Sequence, residues 1–144
     1  MAPEVRLAHT DAEVARLFPL LRELRPHITD EIDFVARVQR QRATERGWRL
    51  AYVEQDGVPT AAGSCRILEH LAWGKVLYVD DLICAESHRG KGAANSLMKW
   101  MEALARAEGC AQLHLDSGTQ RIRAHHFYFR QGLSITSFHF GKTL

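Results

Sequence analysis

The sequence predicts a mixed α/β fold, one central sheet flanked by helices, in the order β-α-α-β-β-β-α-β-α-β. Three observations carry that prediction. At 144 residues the chain is one domain's worth, so residues 1–144 are expected to share a single core with no disulfide or metal staple. Hydrophobic residues at 46% and charged residues at 25% form a globular balance that excludes disorder, collagen and coiled coil. Along the chain, helical spacing gives way to β-branched and aromatic runs and then returns.

Val5 to Ala8 reads as a short first strand. Asp11 sits where an N-cap belongs, ahead of Val14, Leu17, Phe18, Leu21 and Leu24 at helical spacing, with Pro26 as the stop. Asp30 caps a second helix carrying Ile32, Phe34, Val35 and Val38, which ends before Gly47. Its polar stretch from Gln39 reads as a solvated helix end. Trp48 to Glu54 and Val58 to Leu68 form strands about a Q-D-G turn at 55–57. Val76 to Cys84 is the strongest strand of the chain, rich in β-branched and aromatic residues. Ala93 to Glu108 is a helix with Leu97, Met101, Leu104 and Ala105 on one face and Gly109 as its C-cap. Ala111 to Asp116 is a strand, Arg121 to Gln131 a helix closed by Gly132, and Ser134 to Phe140 a last strand.

Charge and cysteines narrow the setting. Nineteen Lys+Arg against seventeen Asp+Glu leave +2, too mild to argue for nucleic acid. Cys65, Cys84 and Cys110 are odd in number and far apart, which speaks against a disulfide framework and for a reducing cytoplasm. The start, M-A-P-E-V-R-L, lacks the apolar core of a signal peptide, and no run approaches a membrane span. Cys110 and His114 lack a second ligand pair, so no metal is expected.

The informative segment is E-S-H-R-G-K-G-A-A, joining the strand that ends at Cys84 to the helix that begins at Ala93. A strand, a glycine-bearing turn and a helix N-terminus together make an anion site. The amides of Gly90 to Ala94 can point at one spot, Gly90 and Gly92 let the backbone approach a phosphate, and Arg89 and Lys91 add positive charge. The Walker loop and the dinucleotide fingerprint both fit worse: Lys91 is followed by Gly92, and the loop supplies G-K-G-A-A-N. Basic, glycine-containing turns at such junctions are common, so the loop alone leaves a purely structural turn open.

R-G-K-G-A-A, Arg89 to Ala94, resembles the pyrophosphate loop R/Q-x-x-G-x-G/A of the GNAT superfamily of N-acetyltransferases. A-H-H-F-Y-F-R-Q-G-L, Ala124 to Leu133, resembles that family's A-x-x-L/F-Y-x-x-x-G-F block. Two motifs in the right order are far more specific than either alone, and the resemblance runs from Val76 to Leu133. It implies a GNAT-like mixed central sheet with acetyl-CoA as co-substrate, lying where the strand before the loop splays from its neighbour. It implies that Leu82 and Cys84 offer backbone groups to pantetheine and the thioester. The amides of Arg89, Gly90, Lys91, Gly92, Ala93 and Ala94 would hold the pyrophosphate. Tyr128 stands where the family keeps a tyrosine that protonates the departing thiolate. Arg121 departs from the pattern, since the family often has Asn there. Dimers are widespread in that family, so a homodimer is a partner the resemblance admits.

Asp80 and Asp81 interrupt an apolar strand, which is costly unless they are paired or wetted and so points to a cleft. Alternation puts Tyr78, Asp80, Leu82 and Cys84 on one face and Val79, Asp81 and Ile83 on the other. Asp80 is the candidate for handling an amine, as base through water or as ammonium anchor. Its structural alternative is a salt bridge to Arg66, and for Asp81 the structural role weighs more. His125 and His126 adjoin Tyr128, and either is a candidate to line an acceptor pocket, though a lone helix histidine is more often a packed or exposed side chain. Cys84 has no matched His and acid, and a buried, inert thiol is its default.

The function expected is transfer of acetyl from acetyl-CoA to a primary amine of a small molecule or a protein or peptide. Nearby acids lean toward a cationic acceptor. A non-catalytic acyl-CoA sensor is the alternative from another class, and nucleotide binding by the same loop is a third.

Overall fold

The computed structural model describes residues 1–144, which divide into two compact units, residues 1–114 and residues 115–144. The first holds β1 (Arg6–Leu7), α1 (Asp11–Arg16), α2 (Phe18–Leu24), α3 (Glu31–Thr44), β2 (Arg49–Gln55), β3 (Val58–His70), β4 (Gly74–Cys84), a single 3-10 turn (Glu86–His88) and α4 (Ala93–Ala107). β5 (Gln112–Leu115) straddles the division, and α5 (Ile122–Arg130) belongs to the second unit.

The five strands stand in the order β1-β2-β3-β4-β5. β1 to β4 are antiparallel neighbours, and the helical crossover through α4 is the kind of connection a parallel neighbour needs, so the sheet is mixed. β2 turns into β3 through Asp56 (φ 52°) and Gly57 (φ 76°), the doubly left-handed pair that matches the twist of a hairpin. One face of the sheet is covered by α1–α3, with Val14, Leu17, Leu21, Phe34 and Val38 packed on Leu50, Ala62 and Ile83. On the other face Ala93 and Leu97 of α4 pack against Ala51, Val53 and Ala61.

The structure departs from the expected elements at three places. The helix expected from Asp11 to Leu24 is two helices, broken at Leu17. Pro19 has no N–H to give and its ring collides with the carbonyl four residues back, so it fits only in a first turn, where it now stands. The N-cap of α1 is Thr10, not Asp11: the Thr10 hydroxyl accepts from the Glu13 amide at 3.1 Å while the Glu13 carboxylate accepts from the Thr10 amide at 3.2 Å. Third, Ser134 to Phe140 is not a strand within its own unit. Residues 115–144 contain no complete second strand against which its amides could form a ladder.

The ends of the later helices fall as read. α4 closes on Gly109 (φ 73°), whose amide donates to Arg106 O while Cys110 donates to Ala105 O, a Schellman close. α5 ends the same way at Gly132, with Leu133 donating to Tyr128 O. No helix is long and apolar enough to cross a membrane.

Candidate active site

The site is built along β4. Ser64 of β3 pairs with Asp81 and Cys65 with Val79, so Asp80 is an extra residue, a β-bulge. Strict alternation would send the two aspartates to opposite faces. The bulge instead turns both into one cavity of about 390 Å³ between the sheet and α2 and α3. Phe18, Leu21, Phe34, Val38 and Leu50 form its apolar wall.

Each carboxylate has its own guanidinium. Arg66 on β3 donates Nε to both oxygens of Asp80, at 3.0 and 2.9 Å, and Nη2 to Oδ2 as well. Trp48 adds its indole N–H at 3.4 Å. Burial draws the Arg66 pKa down, but the hydrogen bonds and charge of Asp80, with Glu45 and Asp81 behind, outweigh it and hold the guanidinium above its ordinary value. Arg66 also reaches Gln41 Oε1 at 2.7 Å, so the end of α3 is tied to the sheet rather than merely solvated. Asp81 accepts from Arg25 Nε at 2.7 Å and from the Ser64 hydroxyl at 2.5 Å. Arg25 Nη2 further donates to the Asp80 carbonyl at 3.0 Å, fastening the bulge from both sides. The Arg66 bridge therefore belongs to Asp80, the residue expected to handle an amine. Its carboxylate is held as one half of an ion pair.

Arg25, Ser64 and Trp48 were not legible as site residues. The one sequence signal for the bulge is the pair Asp80–Asp81 itself, two carboxylates in succession where alternation has room for one per face.

Past the bulge, Leu82 and Cys84 turn their side chains toward the α4 face, beside Ala93 and Leu97. Ala111 donates to Lys75 O, so β5 starts opposite the beginning of β4. With four residues against eleven, β5 cannot flank the far half of β4, and its reach gives out before Leu82 and Cys84. Burial pushes the Cys84 thiol pKa up, with Arg89 pulling the other way.

The loop after β4 makes its 3-10 turn and then passes through Gly90 (φ 80°) and Gly92 (φ 87°), backbone that favours glycine. Gly92 is the N-cap of α4 and no side chain caps that end. The Ser96 amide donates to Gly92 O at 2.9 Å, so the ladder of α4 starts on the loop itself, and a helix N-terminus of this kind presents backbone N–H groups to the loop. A Cβ at Gly90 would meet nothing within 4 Å, and one at Gly92 only the Pro3 ring, at 3.9 Å. Arg89 is loosely paired with Glu86 at 4.0 Å. An anion of phosphate size finds donors, space and positive charge there.

Tyr128 and His125 lie on α5 in the second unit. The Phe127 and Tyr128 rings meet edge to face with centroids 5.7 Å apart. His125 Nε2 lies 2.8 Å from the Gly118 carbonyl, which can only accept, so that nitrogen carries the proton and ties down the turn before the helix. Arg121 stands at the N-cap of α5 and makes no side-chain cap bond. The structure thus brings Asp80 and Asp81 together in a cavity, and sets Leu82, Cys84 and Arg89 to Ala94 in sequence beyond them.

A model of the "Acetyltransferase (GNAT) family" matches residues 14–133. The chain belongs to that family. It is an acetyl-CoA-dependent N-acetyltransferase, with the mixed sheet and flanking helices of that fold. It is similar to the uncharacterized N-acetyltransferase YhdJ of Bacillus subtilis (strain 168), 31% identical over 135 residues, covering 90% of this chain and 91% of that protein. An aminoalkylphosphonate N-acetyltransferase of Salmonella typhimurium is 31% identical over 77 residues, covering 54% of this chain and 49% of that one. Among solved structures, a transcriptional regulator from Bacillus halodurans C-125 superposes with a TM-score of 0.85 at 15% identity, covering 99% of both chains, a likeness of fold.

Proposed function

We propose that residues 1–144 act as one acetyltransferase domain that moves the acetyl group of acetyl-CoA directly onto a primary amine in a ternary complex. The observation that carries this reading is the uncapped N-terminus of α4, opened by Gly90 and Gly92, directly beyond a bulged strand that outruns its neighbour. In it, the amides of Arg89 to Ala94 bind the coenzyme's diphosphate. Backbone groups of Leu82 and Cys84 hold pantetheine and the thioester carbonyl.

The amine nitrogen attacks the thioester carbon, forming the C–N bond and placing negative charge on oxygen. A backbone amide at the open edge of β4 stabilises that oxyanion. Collapse breaks the C–S bond, the sulfur takes its proton from Tyr128, and the nitrogen releases its remaining extra proton, which restores the phenol. The ammonium must first lose a proton, and Asp80 acts there through water, using lone pairs that Arg66 leaves unspent. Asp81 orients the floor of the acceptor cavity. The cavity size favours a small-molecule acceptor over a peptide amino group. The name of one relative, an aminoalkylphosphonate N-acetyltransferase, supports that choice.

Release of free CoA thiol over a panel of amines tests the reading. Turnover with at least one small primary amine is expected. Tight CoA binding with no turnover on any amine would overturn it in favour of a sensor, and competition by ATP or NAD would reassign the loop to nucleotides.

A further inference from the structure

The cavity's charge, counted pair by pair, selects a different acceptor from the one its aspartates suggest. Asp80 and Asp81 are each matched by a guanidinium, Arg66 and Arg25, so the floor is electrically balanced. The rim is not. Arg22, on α2, lines the cavity with its guanidinium 5.9 Å from the centroid of the Phe18 ring, and makes no ion pair. Arg37, on α3, lines the same cavity, and its one partner is Asp33 on its own helix, at 2.8 Å with both side chains more than 40% exposed. An exposed i,i+4 pair of this kind holds weakly, and a better anion can displace it.

We infer that the acceptor is an amine that also carries a negatively charged group, a carboxylate, phosphonate or phosphate. Arg22 takes that group, with Arg37 turning from Asp33 to join it. Planar, fork-shaped guanidiniums suit such oxyanions, and the apolar wall between rim and floor accommodates the carbon chain that separates the two ends. The amine then lies at the balanced floor, where Asp80 and Asp81 offer hydrogen bonds without a net charge that would favour polycations. Arg22 is a specificity-determining residue on this account. The inference rests on the acetyl-transfer reading above, and its test separates the two.

Initial rates of CoA release are measured for 3-aminopropanoate and 2-aminoethylphosphonate against propylamine and ethylamine, with wild type, Arg22→Gln and Arg37→Gln. The expected result is a kcat/KM at least about 10-fold higher for one of the anionic amines than for its plain counterpart, the scale of one charge-assisted hydrogen bond. In Arg22→Gln the KM for that acceptor rises about 10- to 100-fold, and the preference over the plain amine collapses. Arg37→Gln moves the same ratio in the same direction by less. A wild type that prefers plain amines overturns the inference while leaving acetyl transfer intact. So does an Arg22→Gln enzyme whose ratio is unchanged because both rates fall together. Absence of CoA release with all four amines and with a wider panel overturns the parent reading instead.

Discussion

Asp80 gains its place from one extra residue in β4. Without the bulge its carboxylate and that of Asp81 would part to opposite faces. With it, both stand in one cavity, each clasped by an arginine. The need for partners was readable, because two carboxylates in an apolar strand demand compensation. Which partners was not: Arg25 lies 56 positions from Asp81 along the chain, and nothing local marks it. Two predictions belong to single residues. Gly92→Asp puts an L-residue at φ 87° and a carboxylate where the proposed reading places the diphosphate, so CoA affinity by titration calorimetry is expected to fall by at least about 100-fold. Unchanged affinity would remove the loop from the coenzyme site. Tyr128→Phe lowers kcat by about 10- to 1,000-fold with CoA affinity little altered, the signature of a lost proton donor. Wild-type turnover in that variant would take the acid role away.

At the scale of elements, strands and helix ends were more legible than helix continuity. Periodicity carried straight through Leu17 and Phe18, since both are apolar and correctly spaced, and both are buried. Pro19 was the local signal that overrode the pattern. Thr10 and Glu13, three apart, wrote a capping box one residue ahead of the aspartate that reads as a cap. Packing between elements carries its own prediction at Gly63 of β3, which faces Leu82 across the ladder. A Cβ there would stand 2.8 Å from Met101 Cε, 3.0 Å from the Asp81 carbonyl and 3.2 Å from Leu82 Cδ1. Gly63→Ala therefore displaces the Met101 tip and presses on the Asp81 carbonyl beside the bulge, and costs about 1–3 kcal/mol in urea unfolding. A variant as stable as wild type would show that α4 has room the packing denies.

For the molecule as a whole, the fold class was set out by alternating periods and one glycine loop. The layering that makes a cavity needed tertiary contacts that no window of sequence contains. Burial also has a whole-molecule readout at Cys65, whose thiol pKa it pushes up to about 12. The unfolded chain releases that proton near pH 9, the folded chain does not, so the native state binds more protons between those values. Stability therefore falls as pH rises from about 9 toward 12, and Cys65→Ala flattens that part of the profile. Chemical unfolding at stepped alkaline pH measures it, and an identical slope in the variant would assign the loss to other groups.

Pro3 stands beside Gly92, so the segment from Met1 to Pro3 runs past the loop that the proposed reading makes the doorway for the coenzyme's diphosphate. A purification handle joined ahead of Met1 would hang over that doorway, and a histidine-rich one would bring extra positive charge to it. Recombinant preparations with the handle on the carboxyl side, or with it cleaved off, give the fairer measure of coenzyme binding.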